Sequence, residues 1–291
     1  MIPARRRDDE GLGRLLARCP RGTRALPAEL RDGPSGEALW LQAPGGVRGV
    51  VVLAHGGGND RLFGLWSLAR AALQRGLSVL TAHLPGHGRA GDDTFCVAAT
   101  RARLDALVAE ARERSDRVAV VGQSMGGAFA LDQLARGRGA DLTLAVSAPS
   151  HLRPRLAVLR ELTVLARRTA WSTLSYVSPW NALPAVGRFR RRRFPVRVEH
   201  GRRYTEVFQA ALAELDLPRR LSSAPATGPV WLFHGTADGV VPVDQARGLH
   251  EALGHRAARL HLVPGGLHLD LLLRRDVVHR VADLLRDTTG A

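Results

Sequence analysis

The stretch Val118 to Gly127, VAVVGQSMGG, constrains the fold of this chain more than any other. Small and β-branched apolar residues from Val118 to Val121 give a short buried-strand signal. A Gly-Gln-Ser-Met-Gly turn follows, and then an apolar helical run from Ala128 to Ala135. Ser124 is thereby placed at a strand-to-helix corner, where the middle residue is forced into a strained backbone. Glycine at 122 and 126 carries no Cβ and leaves room for neighbouring backbone. The hydroxyl is pushed into the cleft at the carboxyl end of a sheet, over the positive end of the following helix.

Strand and helix alternate on either side of this corner. ALWLQAP, the turn Gly45-Gly46 and GVVVLAHGGG read as two strands joined by a hairpin, the second one buried. Helical spacing over Leu62 to Arg75 ends at Gly76, LSVLTAH is a strand, and Val97 to Arg114 is an amphipathic helix. Leu142 to Val146 and the segment from Pro229 are further strands, Val243 to Leu253 is a helix, and RLHLVPGGLH is a last strand and loop. Leu269 to Leu285 closes the chain as a helix. Such alternation predicts an α/β fold with a mostly parallel, doubly wound sheet covered on both faces. One interruption, 150–227, is rich in Arg, Trp and Pro and reads as a helical cap inserted between late strands. The expected organisation is a tail or strap over 1–36, with a short helix around Leu12 to Arg18, a core of 37–149 and 228–291, and the cap between its halves.

Composition narrows the function classes. At 291 residues, 45% hydrophobic and 24% charged, the chain has ordinary globular composition. No run of about eighteen apolar residues is present, which argues against a membrane-spanning helix. The N-terminal segment lacks the apolar core of a secretory signal, so a cytoplasmic location is expected. Cys19 and Cys96 are too few for a disulfide framework, show no metal-ligand spacing and read as buried thiols. The net charge of +15 comes entirely from arginine, with Arg188 and Arg190 to Arg193 in one segment. That cluster has three readings: a solvated face, attraction to an anionic lipid or membrane surface, or recognition of an acidic substrate group. No motif of a nucleic-acid-binding fold accompanies it, and nucleic acid is not an expected partner.

Four motifs in order resemble the α/β-hydrolase superfamily over roughly Glu37 to Leu285. They are His55-Gly56-Gly57-Gly58 at the end of a buried strand, Gly122-Gln123-Ser124-Met125-Gly126 as a nucleophile elbow, Asp238 in HGTADGVVP and His268 in GGLHLD. The elbow and the LPGHG loop are similar to the lysophospholipase and monoacylglycerol-lipase-like branch, also written as the serine aminopeptidase type. The resemblance implies a serine hydrolase of carboxylesterase or lipase type, with a small-molecule acyl substrate and neither metal nor organic cofactor.

The residues named fit that chemistry. A serine hydroxyl is a weak nucleophile near neutral pH and needs an imidazole within hydrogen-bond reach. His268 follows the last sheet strand and precedes the closing helix, whereas His55, His83, His87, His234 and His261 read as loop or supporting histidines. A base needs a carboxylate to hold its tautomer, and Asp238 at a strand's carboxyl end fits. Asp244 reads as an early-helix acid and Asp270 as a surface or capping acid. Backbone N–H groups of Gly57 and Met125 are the expected oxyanion donors. Apolar cap residues, among them Trp171, Tyr176 and Trp180, are candidates to line an acyl pocket. The same triad would also serve an acyltransferase or a C–C bond hydrolase, and a non-catalytic binding protein on this fold is a third class.

Overall fold

A computed structural model describes residues 28–33, 36–58, 62, 64–88, 94–152, 196–225, 228–254 and 258–289. Its centre is an 8-stranded sheet in the order β1-β2-β4-β3-β5-β6-β7-β8. The strands are β1 (Ala28–Gly33), β2 (Gly36–Leu41), β3 (Val50–Ala54), β4 (Ser78–Ala82), β5 (Val118–Gln123), β6 (Leu142–Val146), β7 (Val230–Gly235) and β8 (Ala258–Val263). From β4 to β8 every pairing is parallel; β1 with β2 and β2 with β4 are antiparallel.

The parallel strands read as unbroken apolar runs because both of their faces are covered. On β3, Val50, Val52 and Ala54 enter one core with Val118 and Val120 of β5. Val51 and Leu53 enter the opposite core with Ala119 and Val121. The first core is filled by helices α2 (Val97–Arg112), α3 (Met125–Ala135) and α6 (Val243–Leu253), through Leu104, Phe129, Leu249 and their neighbours. The second is filled by α1 (Trp66–Leu73) and α7 (Arg275–Thr289), through Leu68, Val281 and Leu285. An ionic clasp ties α2 to α3, since Arg101 reaches the fully buried Asp132 at 2.7 Å and Arg136 reaches Asp105 at 2.8 Å.

Several expectations are corrected. The hairpin expected across Gly45-Gly46 is not formed: β4 lies between β2 and β3, and β3 pairs with β4 and β5. Parallel pairing buries all five residues of β3, which an edge hairpin would leave half exposed. The segment expected as a tail holds β1, whose register with β2 runs from Ala28↔Leu41 to Gly33↔Gly36. The last helix is divided into a 3-10 turn, Leu271–Leu273, and α7. Cys96 is exposed, because its Sγ caps α2 by accepting the Ala99 N–H at 3.4 Å.

Between β6 and β7, two helices are described, α4 (Tyr204–Leu215) and α5 (Leu217–Ser222). They are separated by Asp216 at φ 40°, with Pro218 opening α5. Buried Val207, Phe208, Ala211, Leu212 and Leu215 form one apolar stripe of α4. Arg197 fastens the incoming chain to the loop after β4: its N–H donates to Gly86 O at 2.7 Å, and its carbonyl accepts from Phe95 at 2.8 Å. Trp171, Tyr176, Trp180, Arg188, Arg190 to Arg193, Cys19 and the short helix expected near Leu12 lie outside the described residues. Among the described residues no helix is long and apolar enough to cross a membrane.

Candidate active site

The chain crosses from one side of β3 to the other between β4 and β5, and this switch point opens a crevice at the carboxyl ends of the strands. Ser124 stands there at φ 52° and ψ −116°, a conformation a non-glycine residue keeps only when its surroundings impose it. Its N–H donates to Val146 O on β6 at 2.8 Å, and its carbonyl accepts from Ala128 in the first turn of α3 at 3.0 Å. Both elbow glycines are required by close approach. A Cβ on Gly122 would strike the Gly126 carbonyl, and one on Gly126 would strike the carbonyls of Ala54 and His55.

The Ser124 hydroxyl, His268 and Asp238 come together in one hydrogen-bonded line. Ser124 Oγ lies 2.9 Å from His268 Nε2, and His268 Nδ1 donates to Asp238 Oδ2 at 2.9 Å. Asp238 Oδ1 accepts the N–H groups of Val240 at 3.0 Å and Val241 at 2.7 Å. Burial pushes this carboxyl's pKa up, but the facing His268, with His234 and the Val241 N–H, holds it below the ordinary carboxylate value. Asp238 is therefore ionised at neutral pH, with Oδ2 turned to His268.

Two further groups brace this line. His234, buried on β7, donates from Nε2 to Val241 O at 2.8 Å and lies 3.4 Å from Asp238 Oδ2. Desolvation lowers its pKa, against the opposing pull of Asp238 and of the bond to the Val241 carbonyl. Asp270, expected as a surface or capping acid, is buried. Its Oδ1 accepts the Leu267 N–H at 2.8 Å and so braces the loop that carries His268. Asp244 is exposed on the first turn of α6, paired with Arg247 at 2.8 Å.

The loop expected to supply an oxyanion donor follows β3. His55 donates from Nδ1 to Gly56 O at 2.8 Å and accepts the Leu84 N–H at Nε2 at 2.9 Å, locking this loop to the one after β4. The Gly126 N–H donates to His55 O at 3.1 Å, which sets the loop against the start of α3. Among the described residues, neither the Gly57 nor the Met125 N–H donates to another backbone carbonyl. His87 donates from Nδ1 to Pro85 O at 2.9 Å. Burial, helped by His55, lowers its pKa to about 3, so it is uncharged at working pH. His83 is buried beneath Gly88, and His261 lies in mid-strand on β8 against Phe233. Sequence reasoning missed Tyr204: its ring packs on Phe95 and Phe208, and its oxygen fills the space where a Cβ of residue 57 would stand. An aromatic residue far from residue 57 in the sequence carries no local signal of this contact. No group of three or more His, Cys, Asp or Glu among the described residues is placed to hold a metal ion.

A 2-hydroxy-6-oxo-6-phenylhexa-2,4-dienoate hydrolase from a Rhodococcus species superposes with a TM-score of 0.62 at 20% identity, covering 92% of this chain and 100% of its own. A monoacylglycerol lipase from Paleococcus ferrophilus gives 0.60 at 20% identity over 87% of this chain and 98% of its own. An esterase from Pyrococcus furiosus gives 0.58 at 17% identity over 90% and 87%. At these identities the likeness establishes the fold. No curated protein matches the sequence. The family model described as serine aminopeptidase, S33, matches residues 45–272, most of the chain, and the protein belongs to that family of α/β-hydrolases.

Proposed function

We propose that the protein is a serine hydrolase that cleaves a carboxylic ester, thioester or amide through a covalent acyl-enzyme. The observation that carries this reading is the unbroken line of hydrogen bonds from Ser124 through His268 to the ionised Asp238. In the proposed reaction His268 Nε2 takes the hydroxyl proton as Ser124 Oγ bonds to the substrate carbonyl carbon. The carbonyl π pair moves onto its oxygen, where the Gly57 and Met125 N–H groups stabilise the charge, each on the scale of 10²–10³ in kcat. Collapse breaks the bond to the leaving group, which departs with the proton held by His268. Water repeats the sequence on the acyl carbon: His268 removes its proton, and Ser124 recovers a hydrogen as the acid leaves.

The names of two structural relatives, an esterase and a monoacylglycerol lipase, turn the reading toward esters. The same groups would serve acyl transfer or hydrolysis of a carbon–carbon bond, and the Rhodococcus relative is named a hydrolase of a dienoate. In this reading Trp171, Tyr176 and Trp180 belong to the wall of the acyl pocket. A fluorophosphonate is expected to add once per chain at Ser124 in intact-mass analysis. Wild type should hydrolyse p-nitrophenyl esters with a defined chain-length preference, and Ser124→Ala should not. An adduct undiminished in Ser124→Ala, or a panel of esters, thioesters and amides left uncleaved, would defeat the proposal.

A further inference from the structure

Tyr204 is the first residue of α4, and its phenol ring is fixed by neighbours rather than by a strong hydrogen bond of its own. It stacks on Phe208 with centroids 5.7 Å apart and planes 5° apart, and meets His87 and Phe95 edge-on, each at 5.7 Å. Such aromatic packing restricts the ring and therefore aims the hydroxyl. The hydroxyl lies where a side chain at position 57 would begin, and it donates to Met125 Sδ at 3.4 Å. Gly57 and Met125 are the same two residues whose N–H groups are assigned to the oxyanion.

Thioether sulfur is a weak acceptor, whereas a buried phenol ordinarily finds oxygen or nitrogen. Here burial holds the hydroxyl protonated well above its usual range, so it persists as a donor. The bond it makes at rest is worth little, and the bond it could make to an alkoxide is charge-assisted and roughly twice as strong as a neutral one. A donor poorly satisfied in the ground state and well satisfied in the transition state is what accelerates a chemical step.

The geometry points to Tyr204 as a third oxyanion donor, which exchanges its bond to Met125 Sδ for one to the oxygen of the tetrahedral intermediate. The phenol keeps its proton throughout, and no bond to carbon is made or broken at this residue. The inference rests on the acyl-enzyme reading above, and it makes α4 part of the reacting centre. It also gives the glycine at 57 a reason: any side chain there would displace the phenol.

The test is Tyr204→Phe, which keeps the ring and removes only the oxygen. With p-nitrophenyl acetate, and rates normalised to fluorophosphonate-titratable Ser124, kcat is expected to fall about 10- to 100-fold with KM nearly unchanged. Inhibition by an alkyl trifluoromethyl ketone, which adds to serine and presents an oxyanion, should weaken by a similar factor. A kcat within twofold of wild type would overturn the inference and assign Tyr204 to packing. So would a lower kcat with unaltered ketone affinity. Failure of the acyl-enzyme reading is told apart, because wild type would then take up no fluorophosphonate at Ser124.

Discussion

At the residue scale, the site depends on charge held in place. Asp238 keeps both carboxylate oxygens engaged, one by two backbone N–H groups and the other by His268. The imidazole therefore presents its unprotonated Nε2 to Ser124 in the resting state. Groups that act in one relay are strongly non-additive, because the first deletion already forfeits the joint effect. In the proposed hydrolase, His268→Ala should lower kcat by roughly 10⁴–10⁶-fold, and adding Asp238→Ala should cost less than about tenfold more. Steady-state kcat for the two singles and the double checks this. A double mutant whose loss is the product of the singles would show that the two residues act separately.

At the element scale, β5, the elbow and α3 form one piece whose fit to the end of β3 leaves no free volume. Gly126 is a point of close approach, for a Cβ there would strike the carbonyls of Ala54 and His55 while its N–H donates to His55 O. Relief of a Cβ there requires backbone to move, and the backbone that must move leads into the loop that the proposed reaction uses for the oxyanion. Gly126→Ala is expected to cost about 2–3 kcal/mol in a denaturant titration and to lower kcat more than 100-fold. Wild-type stability and turnover in that variant would show that the loop has slack. The same element explains why Ser124 tolerates φ 52°: a strand bond to Val146 O on one side and a helix bond from Ala128 on the other determine its backbone from both ends.

For the whole molecule, two histidines have their pKa lowered by burial, which couples stability to pH. His87 has its pKa lowered from 6.5 to about 3 by burial, with His55 adding to the effect, and His234 is shifted in the same direction. Between those values the unfolded chain binds a proton that the folded protein refuses, so the unfolded state is favoured as pH falls. Above about pH 6.5 this contribution is complete and constant. From about pH 6.5 to 4 His87 alone should remove about 3 kcal/mol, a window whose lower end overlaps carboxylate titration, so the comparison is between variants rather than of one protein across pH. His87→Gln is therefore expected to lose less of its Tm between pH 7 and pH 4 than wild type does. Thermal scans across that range check it, and parallel slopes for the two proteins would contradict the assignment.

Most of the fold was legible in the chain because its signals are local. Apolar runs of strand length, each followed by helical spacing, reveal the parallel architecture, and β6 and α6 end where their patterns end. The Gly-x-Ser-x-Gly corner, the acid after β7 and the histidine after β8 identify the residues that meet at 2.9 Å, since each sits at the carboxyl end of a strand and a parallel sheet gathers those ends together. What needed the tertiary structure is the set of contacts between distant segments. No turn signal at Gly45-Gly46 reveals that β4 will come between β2 and β3, because pairing follows from which arrangement buries β3 on both faces. Asp270 reads as a surface or capping acid, and only the folded loop shows it buried with its Oδ1 on the Leu267 N–H. Tyr204 lies far from Gly57 in sequence, and only the packing of α4 over the loop after β3 decides that its hydroxyl fills the place of the missing side chain.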